Sequence, residues 1–421
     1  MKKKSKIQIA VCLLIVLGIA AGCAQPSSTP SPSPEQTVPE TAQEPTKDKI
    51  VIGQATSLSG SLASGVAVSN GPVYEMWVKE INDQGGIYVE EYGKKLPIEY
   101  IKYDDKSDMG TMTRLLEKLI LEDQVDFLLP PWGTAFLYAA APIANKHGYI
   151  LIGGPGGAAK LKEIISGLPY FFSVYNFAET QIPALADILE ELGVKSVGII
   201  FIGDLHGVEY SGAAVPEFEL RGIEVKMIKS YSPGIQDMSP MLKEAKMLDV
   251  DAFIGFTYPE ETMLITTQAM ELDINFDVFH LSVGPCFGFY KDAFGAEVVE
   301  GVMGPASYNK KSSPGAAEFI EKYIAFTGQE PTYWGGADVY ASLQHLQQAI
   351  EEAGTLDQAR IRELLATKTY DTCIGPFSYE GGLFRGHLGE MGQWQNGIFE
   401  IIDPGENRTA PPIIKPEWPK R

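Results

Sequence analysis

Apolar residues recur along this chain at two spacings that alternate. Ile50–Ile52 is a short β-branched run suited to a buried strand. Behind it Val73, Trp77 and Ile81 fall at i, i+4 and i+8, which puts them on one face of a helix over Val66–Ile81. Ile98–Tyr103, Phe127–Leu129 and Ile150–Ile152 read as further strands, and Leu115, Leu116, Leu119 and Ile120 as the apolar side of an intervening helix. The alternation then starts afresh. Ile182, Leu185, Ile188, Leu189 and Leu192 form an amphipathic stripe ended by Gly193, a residue suited to the left-handed conformation that closes a helix. Strand-like Val197–Ile202, Ile223–Ile228, Ala252–Phe256 and Phe276–Leu281 follow, separated by helical segments. Two successive strand–helix series of this length predict an α/β fold with two lobes, each built on a parallel sheet.

In an open parallel sheet a ligand sits beyond the carboxyl ends of the strands, where loop amides and helix N-termini converge. That rule selects Thr56–Gly60, Asp104–Asp108, Pro130–Thr134 and Gly154–Ala158 in the first series, and Asp204–Gly207, Thr257–Glu261 and Ser282–Phe289 in the second. Their mixture of Gly, Ser/Thr and aromatic residues suits a small-molecule site.

Composition narrows the classes. With 421 residues, 45% hydrophobic and 21% charged, the chain has enough apolar material for a packed core. Its net charge of −20 argues against a nucleic-acid partner, which needs surplus Lys/Arg to neutralise phosphates. No G-x-S-x-G elbow, H-E-x-x-H pair, P-loop lysine or Cys/His set occurs, so no enzyme, no cofactor and no metal site is expected. Four cysteines are too few for a disulfide framework, and Cys286 and Cys373 are open either to pairing or to a free, buried state.

The charge is uneven. Residues 1–47 carry five lysines and three acids, and four of the lysines precede an apolar stretch, Ile7–Ala21. That stretch is too short to span a bilayer comfortably and right for the core of a signal peptide. It ends Ala20-Ala21-Gly22-Cys23, which resembles the bacterial lipobox, whose cysteine receives a diacylglycerol; an ordinary secretory signal cut after small residues is the other reading. Residues 24–47 hold six Pro, four Ser, four Thr and no aromatic residue, a composition that stays extended. The expected layout is a signal peptide over 1–22, a lipidated Cys23 and tether over 23–47, and a globular part held extracytoplasmically at a bacterial membrane.

Three motifs carry a family resemblance: Ile81-Asn82-Asp83-Gln84-Gly85-Gly86-Ile87, Asp104-Asp105-Lys106-Ser107-Asp108 and Ile374-Gly375-Pro376-Phe377. In order and spacing they resemble the branched-chain amino-acid (Leu/Ile/Val) periplasmic binding proteins, the type I solute receptors of ABC importers. The likeness runs over residues 49–403 and takes in Tyr333–Ala349, Glu380–Gly386 and Gly392–Trp394. It implies a periplasmic binding protein-like I fold, two Rossmann-like lobes joined by a three-segment hinge near Ser173–Phe177, Met303–Tyr308 and Thr372–Phe377. Lobe 1 is then 48–173 with 308–372, and lobe 2 is 177–303 with 377–421, the helix Ala337–Ala353 returning to lobe 1. A monomer that meets permease subunits is implied as well.

By the same resemblance, Trp132-Gly133-Thr134 offers amides and a hydroxyl to a ligand carboxylate, with Thr134 the main donor. Gly154-Pro155-Gly156-Gly157-Ala158 stands where relatives have a Ser/Thr hydroxyl, which leaves the amides of Gly156 and Gly157. His206-Gly207 replaces a Tyr-Gly, and Glu260 or Glu261, after Tyr258-Pro259, corresponds to the acid that pairs with a ligand ammonium. Ser59, Tyr175, Tyr258 and Gly284 complete the expected ligand set. The aromatics Trp132, Tyr175, Phe177, Tyr258, Phe287 and Phe289 incline the cleft toward a ligand with an apolar or aromatic body. Each has a plainer reading: Trp132 as a packing aromatic, His206 as a hydrogen-bonding loop residue, the glutamates as acids favoured at a helix N-terminus. The implied function is capture of an amino acid or related carboxylated solute for an ABC importer. A sensing module that reports to a membrane kinase or chemoreceptor would use the same cleft.

Overall fold

The computed structural model describes residues 46–154, 156, 163–403 and 405–420. The expected signal peptide, Cys23 and most of the tether lie outside the described residues, as does Gly157.

Strand Ile50–Thr56 is buried almost throughout because helices cover both faces of its sheet. On one face Ile50, Ile52 and Phe127 pack with Trp77 and Ile81 of helix Asn70–Asp83. On the other, Ala55 and Leu128 pack with Leu116, Leu119 and Ile120 of helix Met109–Leu121, which Asp108 starts by accepting the Thr111 amide at 2.7 Å. Each Leu, Ile or Phe among these contributes about 1.5–3 kcal/mol on burial. The strand runs parallel to Ile98–Asp104 on one side and Phe127–Leu129 on the other, and the sheet continues in parallel through Leu151–Gly154 and Phe171–Ser173.

The second sheet repeats the plan. Glu224–Tyr231, Ser196–Ile202, Ala252–Phe256, Val278–Leu281 and Val302–Pro305 lie side by side in parallel. Met391–Gln395 and Ile398–Asp403 extend it in antiparallel fashion. The fold is therefore α/β with two lobes, the architecture that the alternating pattern predicts. Among the described residues no helix is long and apolar enough to cross a membrane.

Two expectations change. The helix read over Val66–Ile81 is two helices, Ala63–Val68 and Asn70–Asp83, broken at Ser69, whose hydroxyl bonds back to the Gly65 carbonyl. Residues 377–384, assigned by resemblance to lobe 2, stay with the first sheet: Leu383 pairs with Ser173, and Tyr379–Glu380 pairs with Leu383–Phe384. The cause is aromatic packing, since Phe377 stacks on Phe384 at 4.2 Å and both Phe377 and Tyr379 meet His345 of helix Gly336–Ala353.

The last passage between lobes is accordingly 385–390. It runs beside the second, where Leu388 N–H donates to Ser307 O and Ala306 N–H to Glu390 O, both at 3.0 Å. Asn176, on the first passage, ties the set together. Its amide nitrogen donates to Ala306 O, Gly389 O and Glu390 Oε2 at 3.3, 3.3 and 2.6 Å.

Candidate ligand-binding site

Strand Phe127–Leu129 runs into Trp132 and Gly133 and then into helix Thr134–Lys146. Gly133 takes φ 97°, a conformation that favours glycine, and lets the chain turn into the helix beside Trp132. No side chain caps this helix, so its first-turn amides remain open toward the cleft. Thr134, 4% exposed, sits at that end with its hydroxyl unengaged among the described residues.

The second lobe answers with strand Ser196–Ile202 and helix Leu205–Leu220. Asp204 starts the helix, accepting Gly207 N–H at 3.0 Å through Oδ1 and the Tyr258 hydroxyl at 2.8 Å through Oδ2. Gly207 is required here, since a Cβ would stand 1.9 Å from the Ile202 carbonyl oxygen. The Tyr258 ring stacks on His206 with centroids 5.4 Å apart and meets Trp132 of the other lobe at the same distance. Ser64 Oγ also reaches Glu260 across the cleft at 3.4 Å. The lobes are thus in contact.

These contacts divide the cleft. The inner chamber is lined by Ser69, Trp132, Gly133, Thr134, Gly156, Tyr175, His206, Tyr258, Val283, Phe287 and Trp334. Seven members of the expected ligand set meet there, Trp132, Gly133, Thr134, Gly156, Tyr175, His206 and Tyr258, together with Phe287 of the expected cleft aromatics. The outer chamber shares Trp132, Gly133 and Tyr258 and adds Glu260 and Glu261 with Asp204, Ser61 and Ser64. Counting the open solvent at their mouths, the outer chamber holds about 810 Å3 of non-atom space and the inner one about 390 Å3, so the inner chamber is the tighter of the two.

Electrostatics separates the two chambers further. Burial pushes the Glu261 carboxyl up, helped by the charges of Glu260 and Asp204, while backbone amides of Glu261 and Gly234 oppose it. Burial lowers His206 to about 4, so the imidazole is neutral at physiological pH. Tyr258 is raised by burial first and by Asp204 second, and keeps its proton.

Several expected residues stand elsewhere. Ser59 lines neither chamber; its hydroxyl donates to Asp104 Oδ2 at 2.7 Å and shapes the loop. Gly284 backs onto Thr262, where a Cβ would come within 2.4 Å of Cγ2, so it permits packing behind the site. Phe177 belongs to the first-lobe core, and Phe289 stacks behind Phe287 at 5.5 Å. Cys286 and Cys373 are both free thiols, the first buried and the second half-buried. Among the described residues no group of three or more His, Cys, Asp or Glu is placed to hold a metal ion.

Trp334 is the main residue that the sequence reading missed. It lies outside the loops nominated by strand ends and enters from the segment before helix Gly336–Ala353. Its ring meets Tyr175 edge-on at 5.0 Å, and its indole N–H donates to Asn176 Oδ1 at 2.6 Å. Ser69 was hidden inside a supposed continuous helix.

Two parallel-sheet lobes that close over an aromatic chamber define a two-lobed solute receptor. The chain belongs to the periplasmic binding protein family, whose model matches residues 49–388. It is similar to Leu/Ile/Val-binding protein homolog 8 of Brucella abortus, with 25% identity over 84% of this chain and 90% of the relative. The fold is shared with the branched-chain amino acid transporter substrate binding protein LivJ from Streptococcus pneumoniae, solved with isoleucine (TM-score 0.71, 22% identity, 88% of this chain and 100% of that one). It is shared too with an ABC transporter solute binding protein from Rhodopseudomonas palustris, solved with 3,4-dihydroxybenzoic acid (TM-score 0.70, 19% identity, 88% and 99%). The protein is an extracytoplasmic solute-binding protein of this superfamily, and its fold is a non-catalytic one.

Proposed function

We propose that the protein is a lipid-anchored receptor of an ABC importer, and that its inner chamber takes a small carboxylate with an aromatic or apolar body. One observation carries the choice of ligand. Among the described residues the inner lining contains no Asp, Glu, Lys or Arg, whereas Asp204, Glu260 and Glu261 line only the outer chamber. A carboxylate has a natural seat at the uncapped helix end, beside the Thr134 hydroxyl; the Gly156 amide, expected to join it, donates instead to the Gly154 carbonyl at 3.2 Å. Around that seat stand Trp132, Tyr175, Tyr258, Phe287 and Trp334, flat faces that favour a ring. An α-amino acid would have to send its ammonium outward to Glu260 or Glu261. The solutes bound by the Rhodopseudomonas and Streptococcus proteins represent the two classes in competition.

The test is a thermal-shift and calorimetric comparison of benzoates and phenylacetates with Leu, Ile and Val. A carboxylate at about a hundred times its Kd should stabilise the protein by about 2.7 kcal/mol. Trp132→Ala should weaken binding about tenfold or more. Shifts with branched-chain amino acids alone would transfer the site to the Leu/Ile/Val class, and no shift with any carboxylate would remove the reading. For the anchor, labelled fatty acid should enter the wild-type protein in cells and not Cys23→Ala; equal labelling of both would place the lipid elsewhere.

A further inference from the structure

We propose that His206 makes the receptor selective within that class: its Nδ1 accepts a hydrogen bond, so the preferred solute carries an O–H or N–H donor on the side of its ring facing the second lobe. This rests on the aromatic-carboxylate reading above.

The argument begins at Ser282. Its Oγ lies 2.9 Å from Thr257 N, 3.1 Å from Thr257 O and 3.1 Å from His206 Nε2. A hydroxyl has one proton to give and two lone pairs to receive with. If it gives the proton to the Thr257 carbonyl, it can accept both Thr257 N–H and an Nε2–H, and three bonds form. If it gives the proton to Nε2, only two form, because the carbonyl bond is lost. The first arrangement uses every capacity of a buried hydroxyl and is the one that buried polar groups adopt. It places the imidazole proton on Nε2.

In a neutral imidazole the other nitrogen is then a bare acceptor. Nδ1 has no partner among the described residues, although the residue is only 2% exposed and borders the inner chamber. Tyr258 stacked on one side and Tyr210 at 4.6 Å hold the ring so that it cannot swing away. The neighbouring hydroxyls cannot serve Nδ1, since Tyr258 donates to Asp204 and Tyr210 donates to Gln181 Oε1 at 2.6 Å. A ligand donor is therefore the group that completes this nitrogen, and a carboxylate on the Thr134 side leaves the far edge of the ring to supply it.

The experiment is calorimetric binding of benzoate, the hydroxy- and aminobenzoates and the matching methoxybenzoates to three proteins. For the wild type, at least one hydroxy or amino isomer should bind about tenfold more tightly than benzoate, and its methoxy analogue should lose the advantage. His206→Phe, which keeps the stacking but has no acceptor, should bring the ratio to near unity. His206→Asn, whose side-chain oxygen can stand near the place of Nδ1, should recover part of it. Equal affinity of the wild type for benzoate and all donor-bearing isomers overturns the inference while leaving the aromatic-carboxylate site in place. So does a ratio that survives in His206→Phe. If no benzoate binds although a phenylacetate does, this inference falls and the carboxylate site stands; if no carboxylate binds at all, both readings fall. Should His206→Phe not fold, the wild-type series and His206→Asn still decide.

Discussion

Replacing Glu390 by Gln should remove a contribution to stability that this protein loses as pH rises. Glu390 sits on the last passage between the lobes and accepts hydrogen bonds from Asn176 Nδ2 at 2.6 Å and Thr180 Oγ1 at 3.1 Å. Burial pushes its carboxyl from the ordinary 4.5 up to about 7, against the pull of His387 and of those two bonds. In the unfolded chain the group ionises near 4.5, so between the two values the native state holds more protons and loses stability as pH rises. An imbalance of one proton changes stability by about 1.4 kcal/mol per pH unit, and over this window the ceiling is about 3 kcal/mol. The side chain is partly open at its edge, and solvent there reduces the expectation to about 1–2 kcal/mol.

Gln cannot ionise and still offers an amide oxygen to Asn176. Urea unfolding of both proteins at about pH 5 and about pH 8 gives the comparison. The stability of Glu390→Gln relative to wild type should rise by about 1–2 kcal/mol between those conditions. Taking the difference cancels His206, His280 and His345, which burial lowers to about 4, 3 and 4. Those groups stabilise the native state increasingly as pH rises toward 6.5, the opposite slope, and would mask Glu390 in the wild type alone. A difference that stays flat, or one that moves toward the wild type, refutes the reasoning.

Asn176→Ala should cost about 2–4 kcal/mol in the same assay, because it strands the Trp334 indole N–H and strips one donor from Glu390; a loss under about 0.5 kcal/mol would mean that water takes over those bonds. Gly207→Ala should destabilise by about 1–3 kcal/mol and weaken ligand binding, since its Cβ would stand 1.9 Å from the Ile202 carbonyl; an unchanged melting temperature would show that the helix shifts freely. Burial raises the Cys286 thiol to about 12, so aromatic disulfide reagents should modify it only on unfolding, and rapid reaction in the native protein would contradict the packing around it.

The strands were the legible part of the fold. Phe127–Leu129 and Ala252–Phe256 appear with the bounds that their apolar runs suggest, because strands covered on both faces need unbroken apolar sequence. The short strands Tyr379–Glu380 and Leu383–Phe384 carry no such signal. Their place depends on Phe384 stacking on Phe377 and on Phe377 and Tyr379 meeting His345, a residue over thirty positions away. In the site, the rule of strand carboxyl ends found Trp132, Thr134, His206 and Tyr258, one lobe at a time. It could not sort His206 into the inner chamber and Glu261 into the outer one. That distinction arises only where Tyr258 meets Trp132, a contact between lobes that neither lobe's sequence contains.

Trp334 shows why the missing residues matter most. Its ring lines the chamber, and its N–H bonds to Asn176, whose amide nitrogen reaches the second and last passages of the hinge. A solute that packs against Trp334 thus touches the same network that holds the lobes in this arrangement. Ligand favours a closed state only through contacts absent from the open one. Trp132 against Tyr258 joins the two lobes at the front of the chamber, and the Trp334 bond to Asn176 ties its back to the hinge. The rings that line the chamber and the bonds that tie the hinge are consecutive links of one chain, so, on the proposed reading of the chamber as the solute site, a change at either end should be read in both affinity and stability.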